Sequence, residues 1–214
     1  MKKLLTNSRK YSLSFSLFFL IAFLVTPIFS FAQGIQNQKD APRFVYPTSI
    51  SLAYGLGKNY TGFDTLPNGS ISVEIQQIIA YQFNNYFLTG IGAGLDFWIY
   101  DKKISTFIPI FAHATVKLMD KKTSPIVFTN LGYAFKWQSE KKLEENVFYG
   151  TTAGIYFQAG MGLNVKFSDR VSLLFSAYYK MQQSTIQYRE SDLLLAYTNN
   201  QLFHFVGIKI GVLY

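Results

Sequence analysis

The residues that could do chemistry are few. The chain has two histidines, His113 and His204, and no cysteine. Without cysteine there are no disulfides, thiolate metal sites, iron–sulfur clusters or thiol nucleophiles. A Ser–His–acid hydrolytic set needs three side chains within hydrogen-bond reach. His113 has Thr115 two residues on rather than Ser, and His204 has neither Ser nor an acid beside it on its segment. The glycines alternate at strand spacing, as in Gly90, Gly92 and Gly94, instead of forming a phosphate-cradling turn before a helix. The sequence therefore predicts no catalytic, cofactor-binding or metal site.

What remains is a set of polar residues in otherwise apolar or small-residue segments: Glu74, Asp96, Lys136, Gln158 and Lys180, with Lys209 and His113 nearby in depth. Counting along each segment puts the first five in one layer, and Lys209 lower, level with His113 and Ser176. Two acids and two bases in the layer balance. Buried charges persist when paired and hydrogen-bonded, so an internal salt-bridge plug is expected, with an ion path as the alternative. Glu74 is free to meet either Lys136 or Lys180. Lys117 and Lys166 fall at one mouth, in reach of water.

The elements that position these residues read as strands. The last residues, Phe203 to Tyr214, set Val206, Ile208, Ile210 and Val212 against Gly207, Lys209 and Gly211. A period of two puts those sets on opposite faces. Seven more alternating segments precede it, at roughly residues 48–57, 70–83, 86–100, 106–118, 126–137, 152–167 and 171–182. Each is long enough for a tilted membrane-crossing strand, which needs about 9–11 residues. Aromatics are 18% and charged residues only 15%, a membrane-like balance. No apolar run after the N-terminal region is long enough for a spanning helix. Lipid tolerates no unpaired backbone, which leaves a closed barrel. The prediction is an all-β, eight-stranded antiparallel up-and-down transmembrane β-barrel over residues 48–214. Two positions fit badly. Gln77 falls on the lipid face, and Pro109 lacks a donor inside a strand; a local irregularity such as a bulge is expected at each.

Residues 1–32 read as a cleaved signal peptide: basic Lys2, Lys3, Arg9 and Lys10, an apolar run from Phe15 to Phe29, then Ser30-Phe31-Ala32 before a cut at Gln33. A periplasmic N-terminal segment, 33–47, would follow. The formal charge is +8. Removing the four leader cations leaves +4, too mild and scattered to argue for nucleic acid. Short connections at 84–85, 120–124 and 168–170 alternate with those at 58–69, 101–105, 138–151 and 183–201. Small outer-membrane barrels pair short periplasmic turns with longer external loops, so both termini are expected in the periplasm. The loop at 138–151 is charged. That at 183–201 carries Leu193-Leu194-Leu195, which suggests a lid, strands projecting above the membrane, or a site for an extracellular partner.

Three phrases carry a family resemblance. One is Val73-Glu74-Ile75 through Tyr81-Gln82-Phe83-Asn84-Asn85-Tyr86-Phe87. The second is Gly90-Ile91-Gly92-Ala93-Gly94-Leu95-Asp96, and the third is Phe167-Ser168-Asp169-Arg170-Val171-Ser172-Leu173. The chain after the leader resembles small eight-stranded barrels of the OmpA/OmpX-like superfamily, and more narrowly the outer membrane β-barrel family of Bacteroidetes. The resemblance implies the architecture, contact with outer-membrane lipid and lipopolysaccharide, and recognition of the C-terminal strand by barrel-assembly machinery. It implies no cofactor and no reaction, because fold alone assigns none. The expected role is structural or surface-interactive. A narrow solute channel is the second reading and a lipid-modifying enzyme the third.

Overall fold

The computed structural model describes residues 43–60, 65–67, 69–100, 103–137, 143–144, 147–152, 154–168, 171–190 and 196–214. The predicted leader, its cut before Gln33 and residues 33–42 lie outside the described residues. So do Leu193-Leu194-Leu195 and parts of the connections at 58–69, 101–105, 138–151, 168–170 and 183–201.

Eight long strands close the barrel: β1 (Thr48–Leu56), β2 (Ile71–Gln82), β3 (Phe87–Tyr100), β4 (Lys103–Lys117), β5 (Thr123–Lys136), β6 (Gly154–Lys166), β7 (Ser172–Glu190) and β8 (Ala196–Leu213). Each pairs antiparallel with the next, and β8 pairs back onto β1, closing the barrel. The predicted eight-stranded up-and-down architecture is what forms.

The pairing can be followed once around the ring: Val45, Ala80, Gly90, His113, Asn130, Gln158, Lys180, Phe205, Gly55. The path leaves at Val45 and returns ten residues further along the same chain segment, at Gly55. With a rise of ~3.3 Å per residue and strands ~4.7 Å apart, that stagger tilts the strands by about 41° from the barrel axis. Each step around the ring then climbs about 3 Å along the axis, and each residue along a strand about 2.5 Å.

Alternation sorts the side chains as the sequence implies. Ile50, Leu52, Ile91, Ile110, Leu131, Met161 and Ile208 are exposed on the outside. Their neighbours in sequence face inward and are buried or half-buried. A continuous apolar exterior of this kind suits hydrocarbon and not water. Among the described residues no helix is long and apolar enough to cross a membrane, and a barrel needs none. Inside, rings need space. A Cβ at Gly92 would stand 2.5 Å from the Phe111 ring, and one at Gly160 would stand 2.7 Å from that of Phe128. Bulk on one strand fits because its neighbour has none.

Four details differ from the sequence reading or refine it. The ladder passes Gln77 without a bulge: Ser72, Glu74, Gln76, Ile78 and Ala80 stay inward in unbroken alternation. Gln77 is relieved by the Thr48 hydroxyl, 2.6 Å from its Oε1. At Pro109 the irregularity is real. The β3–β4 pairing is interrupted between Ala93↔Ile110 and Asp96↔Phe107 and resumes in the same register, because proline offers no N–H to the ladder. The segment before β1 belongs to the barrel wall: Arg43–Val45 pairs with the end of β2, and Tyr46 N–H donates to the Tyr214 carbonyl at 2.9 Å. Finally, much of the span read as a loop at 183–201 is strand. β7 and β8 stay paired out to Arg189↔Ala196, and Val147–Thr152 pairs alongside β7. The short turns cluster at one end of the barrel, the turn end. The projecting hairpin marks the other, the loop end.

Candidate functional site

The bore is filled by polar side chains that inward-facing positions deliver from every strand. Glu74, Gln76 and Ser72 come from β2, Asp96 and Trp98 from β3, and His113 and Thr115 from β4. Asn130 comes from β5, Tyr156 and Gln158 from β6, Lys180 from β7 and Lys209 from β8. All are buried.

Lys180 anchors the upper half. Its Nζ donates to Asp96 Oδ2 at 2.7 Å and to Ser72 Oγ at 2.6 Å, and stands 4.0 Å from Glu74 Oε2. Trp98 Nε1 donates to the same Asp96 oxygen at 2.7 Å, and the Ser72 hydroxyl donates to Asp96 Oδ1 at 2.6 Å. Glu74 Oε1 accepts from the Tyr156 hydroxyl and from Gln76 Nε2, both at 2.9 Å. Lys180 also lies over the Phe205 ring, 4.7 Å from its centroid. Each carboxylate thus has several donors, as charges removed from water require.

Below it lies a layer of amides. Lys209 Nζ donates to Gln76 Oε1 at 2.8 Å and Gln158 Oε1 at 2.5 Å. Asn130 Nδ2 donates to the same Gln158 oxygen at 2.8 Å. Because Asn130 donates there, its Oδ1 is left to accept from His113 Nδ1 at 2.6 Å, and His113 Nε2 then accepts the Thr115 hydroxyl at 2.8 Å. One polar network therefore runs from Trp98 to Thr115: two hydrogen-bonded groups joined by the 4.0 Å Lys180–Glu74 ion pair.

The sequence-derived layer is part right and part wrong. Glu74, Asp96, Gln158 and Lys180 do meet. Lys136 does not join them. It is partly exposed and pairs in register with Phe107. The reason is the stagger: Lys136 sits about 9 Å higher along the axis than Glu74, although both lie at similar counts along their strands. Lys209, set apart by the sequence reading, is tied into the network instead. Gln76, Ser72 and Asn130 were missed as partners. Strand parity would have found them, since Gln76 and Ser72 share a face with Glu74.

Thr115, His113 and Asn130 have the connectivity of a nucleophile, a base and an orienting group. His113 and Thr115 line a cavity of only about 40 Å³ at the turn end, and the fully buried Asn130 does not reach it. Substrate pockets run to about 300–1,000 Å³, so there is no room for an acyl substrate. On the outside, His204 Nδ1 lies 2.5 Å from the Tyr179 hydroxyl. Among the described residues no group of His, Asp or Glu could hold a metal ion.

No protein-family model matches the chain, and no curated protein matches it in sequence. Solved structures match in shape. Outer membrane protein OprG from Pseudomonas aeruginosa superposes with TM-score 0.50 at 8% identity, over 83% of this chain and 99% of its own. Neisserial surface protein A superposes with TM-score 0.51 at 11% identity, over 81% and 97%. The fold is that of small outer-membrane β-barrels. At such identities the likeness speaks for fold alone.

Proposed function

We propose that this protein is an integral outer-membrane barrel with a structural or surface-interaction role, its bore closed by side chains and its specificity carried at the loop end. The short turns and both termini face the periplasm. The projecting β7–β8 hairpin and the connection at 138–151 face outward, where an extracellular partner would dock. Outer-membrane lipid and lipopolysaccharide surround the apolar exterior, and assembly machinery engages the C-terminal strand. The three phrases quoted above support kinship with the Bacteroidetes outer membrane β-barrel family within the OmpA/OmpX-like superfamily.

The observation that carries the closed-bore reading is the network from Trp98 to Thr115. The residues at its centre, Glu74, Asp96, Gln76, Gln158, Asn130 and Lys180, have no exposed surface. A solute path would need water there. A proton relay would need groups that exchange protons, and the amides of Gln76, Gln158 and Asn130 interrupt the chain between the carboxylates and His113. The protein should therefore give no stepwise conductance in planar bilayers. Discrete, ion-selective steps that change in Asp96→Asn would replace this reading with the runner-up, a narrow channel. Unchanged lipid A mass profiles in cells with and without the protein would weigh against the third reading, a lipid-modifying enzyme.

A further inference from the structure

Beneath the amide layer the bore widens into the turn-end cavity. Its roof is Lys209, Lys117 stands at its mouth, and Ser49, Ser176, Thr115 and His113 line its walls among apolar residues. Two lysines line this space, and no acidic residue lines it among the described residues. Lys180 is fully buried, whereas Lys209 keeps 8% of its surface, and it is Lys209 that lines the cavity. Gln76 and Gln158 accept two of the three N–H groups of Lys209, and the Phe128 ring lies 4.6 Å from Nζ. The balancing Glu74 sits beyond the amides, about 6 Å further up the axis. The rim outside is basic as well: Arg43, Lys121, Lys122 and Lys166 are exposed there, and Asp120 is held by Asn85 at 3.1 Å. Low-dielectric walls around charges of one sign focus the field and concentrate counter-ions.

We propose that this vestibule is a binding site for a small monovalent anion, a halide or a short carboxylate, seated under Lys209 and entering past Lys117. The cavity holds about 40 Å³, against the ~10–15 Å³ that one water requires. It therefore takes one such anion with a water or two, and excludes bulky organic anions. Ser49 and Ser176 line the same cavity, and their hydroxyls can donate to an anion there.

The test is a titration of the protein extracted from membranes into uncharged micelles, followed by backbone amide NMR shifts. Sodium bromide or sodium formate is exchanged against sodium gluconate at constant ionic strength, gluconate being too large to enter. Saturable shifts at Ser49, Ser176 and Lys209 are expected with at least one of the two. The arm that saturates identifies the anion as halide, carboxylate or either. Lys117→Gln removes a half-exposed charge at the mouth and should raise the half-saturation concentration roughly two- to fivefold. Lys209→Met should abolish saturation. If that variant does not fold, Lys117→Gln decides. Shifts that grow linearly in both arms would overturn the proposal. So would shifts confined to Lys121 and Lys122, or saturation unchanged in Lys117→Gln.

Discussion

Asp96 and Glu74 depend on the same ammonium group but are not equivalent. Lys180 bonds directly to Asp96 at 2.7 Å and only approaches Glu74 at 4.0 Å. Asp96→Leu leaves Lys180 buried without its main partner and should cost about 3–5 kcal/mol. The double change Asp96→Leu with Lys180→Met removes both charges and should fall closer to the parent. Urea titrations read by the heat-modifiable gel shift measure both, and equal losses would end the pairing account. A second residue-scale expectation concerns space. Gly92→Ala puts a methyl 2.5 Å from the Phe111 ring and should cost about 1–3 kcal/mol by overpacking. Phe111→Leu in the same chain should recover part of that loss in the same titration. The site was legible in the sequence up to a point. Parity told which side chains enter the bore, because a strand has only two faces. Which of them meet was not legible, because height depends on stagger, and stagger is a property of the closed ring. Lys136 shows this: correct in facing, wrong in level.

At the scale of elements, the outward face of each strand is defined by what it must avoid. Leu131 is 59% exposed at mid-strand on β5. Leu131→Arg should destabilise by about 2–4 kcal/mol if that surface meets the bilayer midplane, as measured by refolding into vesicles. A loss no larger than that of Leu131→Gln would argue against lipid there. The β7–β8 hairpin poses the opposite case. Among the described residues its outer part pairs only with itself and with Val147–Thr152. Deleting residues 187–198 should leave the barrel closed, with its heat-modifiable gel shift intact. Loss of that shift would make the projection part of the fold. This hairpin was the element least visible in the sequence. In water neither of its faces needs to be apolar, so alternation loses its meaning and the composition reads as loop. The eight wall strands were visible because lipid on one side and packed rings on the other impose the period of two.

For the whole molecule, the stagger of ten residues fixes shape. Polarised infrared dichroism of oriented membranes should give a mean strand tilt of about 41°. A value near 36° would correspond to a stagger of about eight, and the register path from Val45 to Gly55 would then be wrong.

That path also makes the wall uneven around its circumference. The ladder joining β7 to β8 runs from Ser172↔Leu213 to Arg189↔Ala196, whereas the ladder that closes the ring runs only from Thr48↔Val212 to Leu56↔His204. A chain pulled mechanically from its N-terminus would therefore peel β1 away first, working against that seam, the still shorter ladder from Thr48↔Gln77 to Tyr54↔Ile71, and the Tyr46–Tyr214 ring stack. The long final hairpin would be the last to give way. Force spectroscopy would see resistance rise toward the C-terminus, so that the end expected to be handed to the assembly machinery is also the mechanically strongest part of the wall.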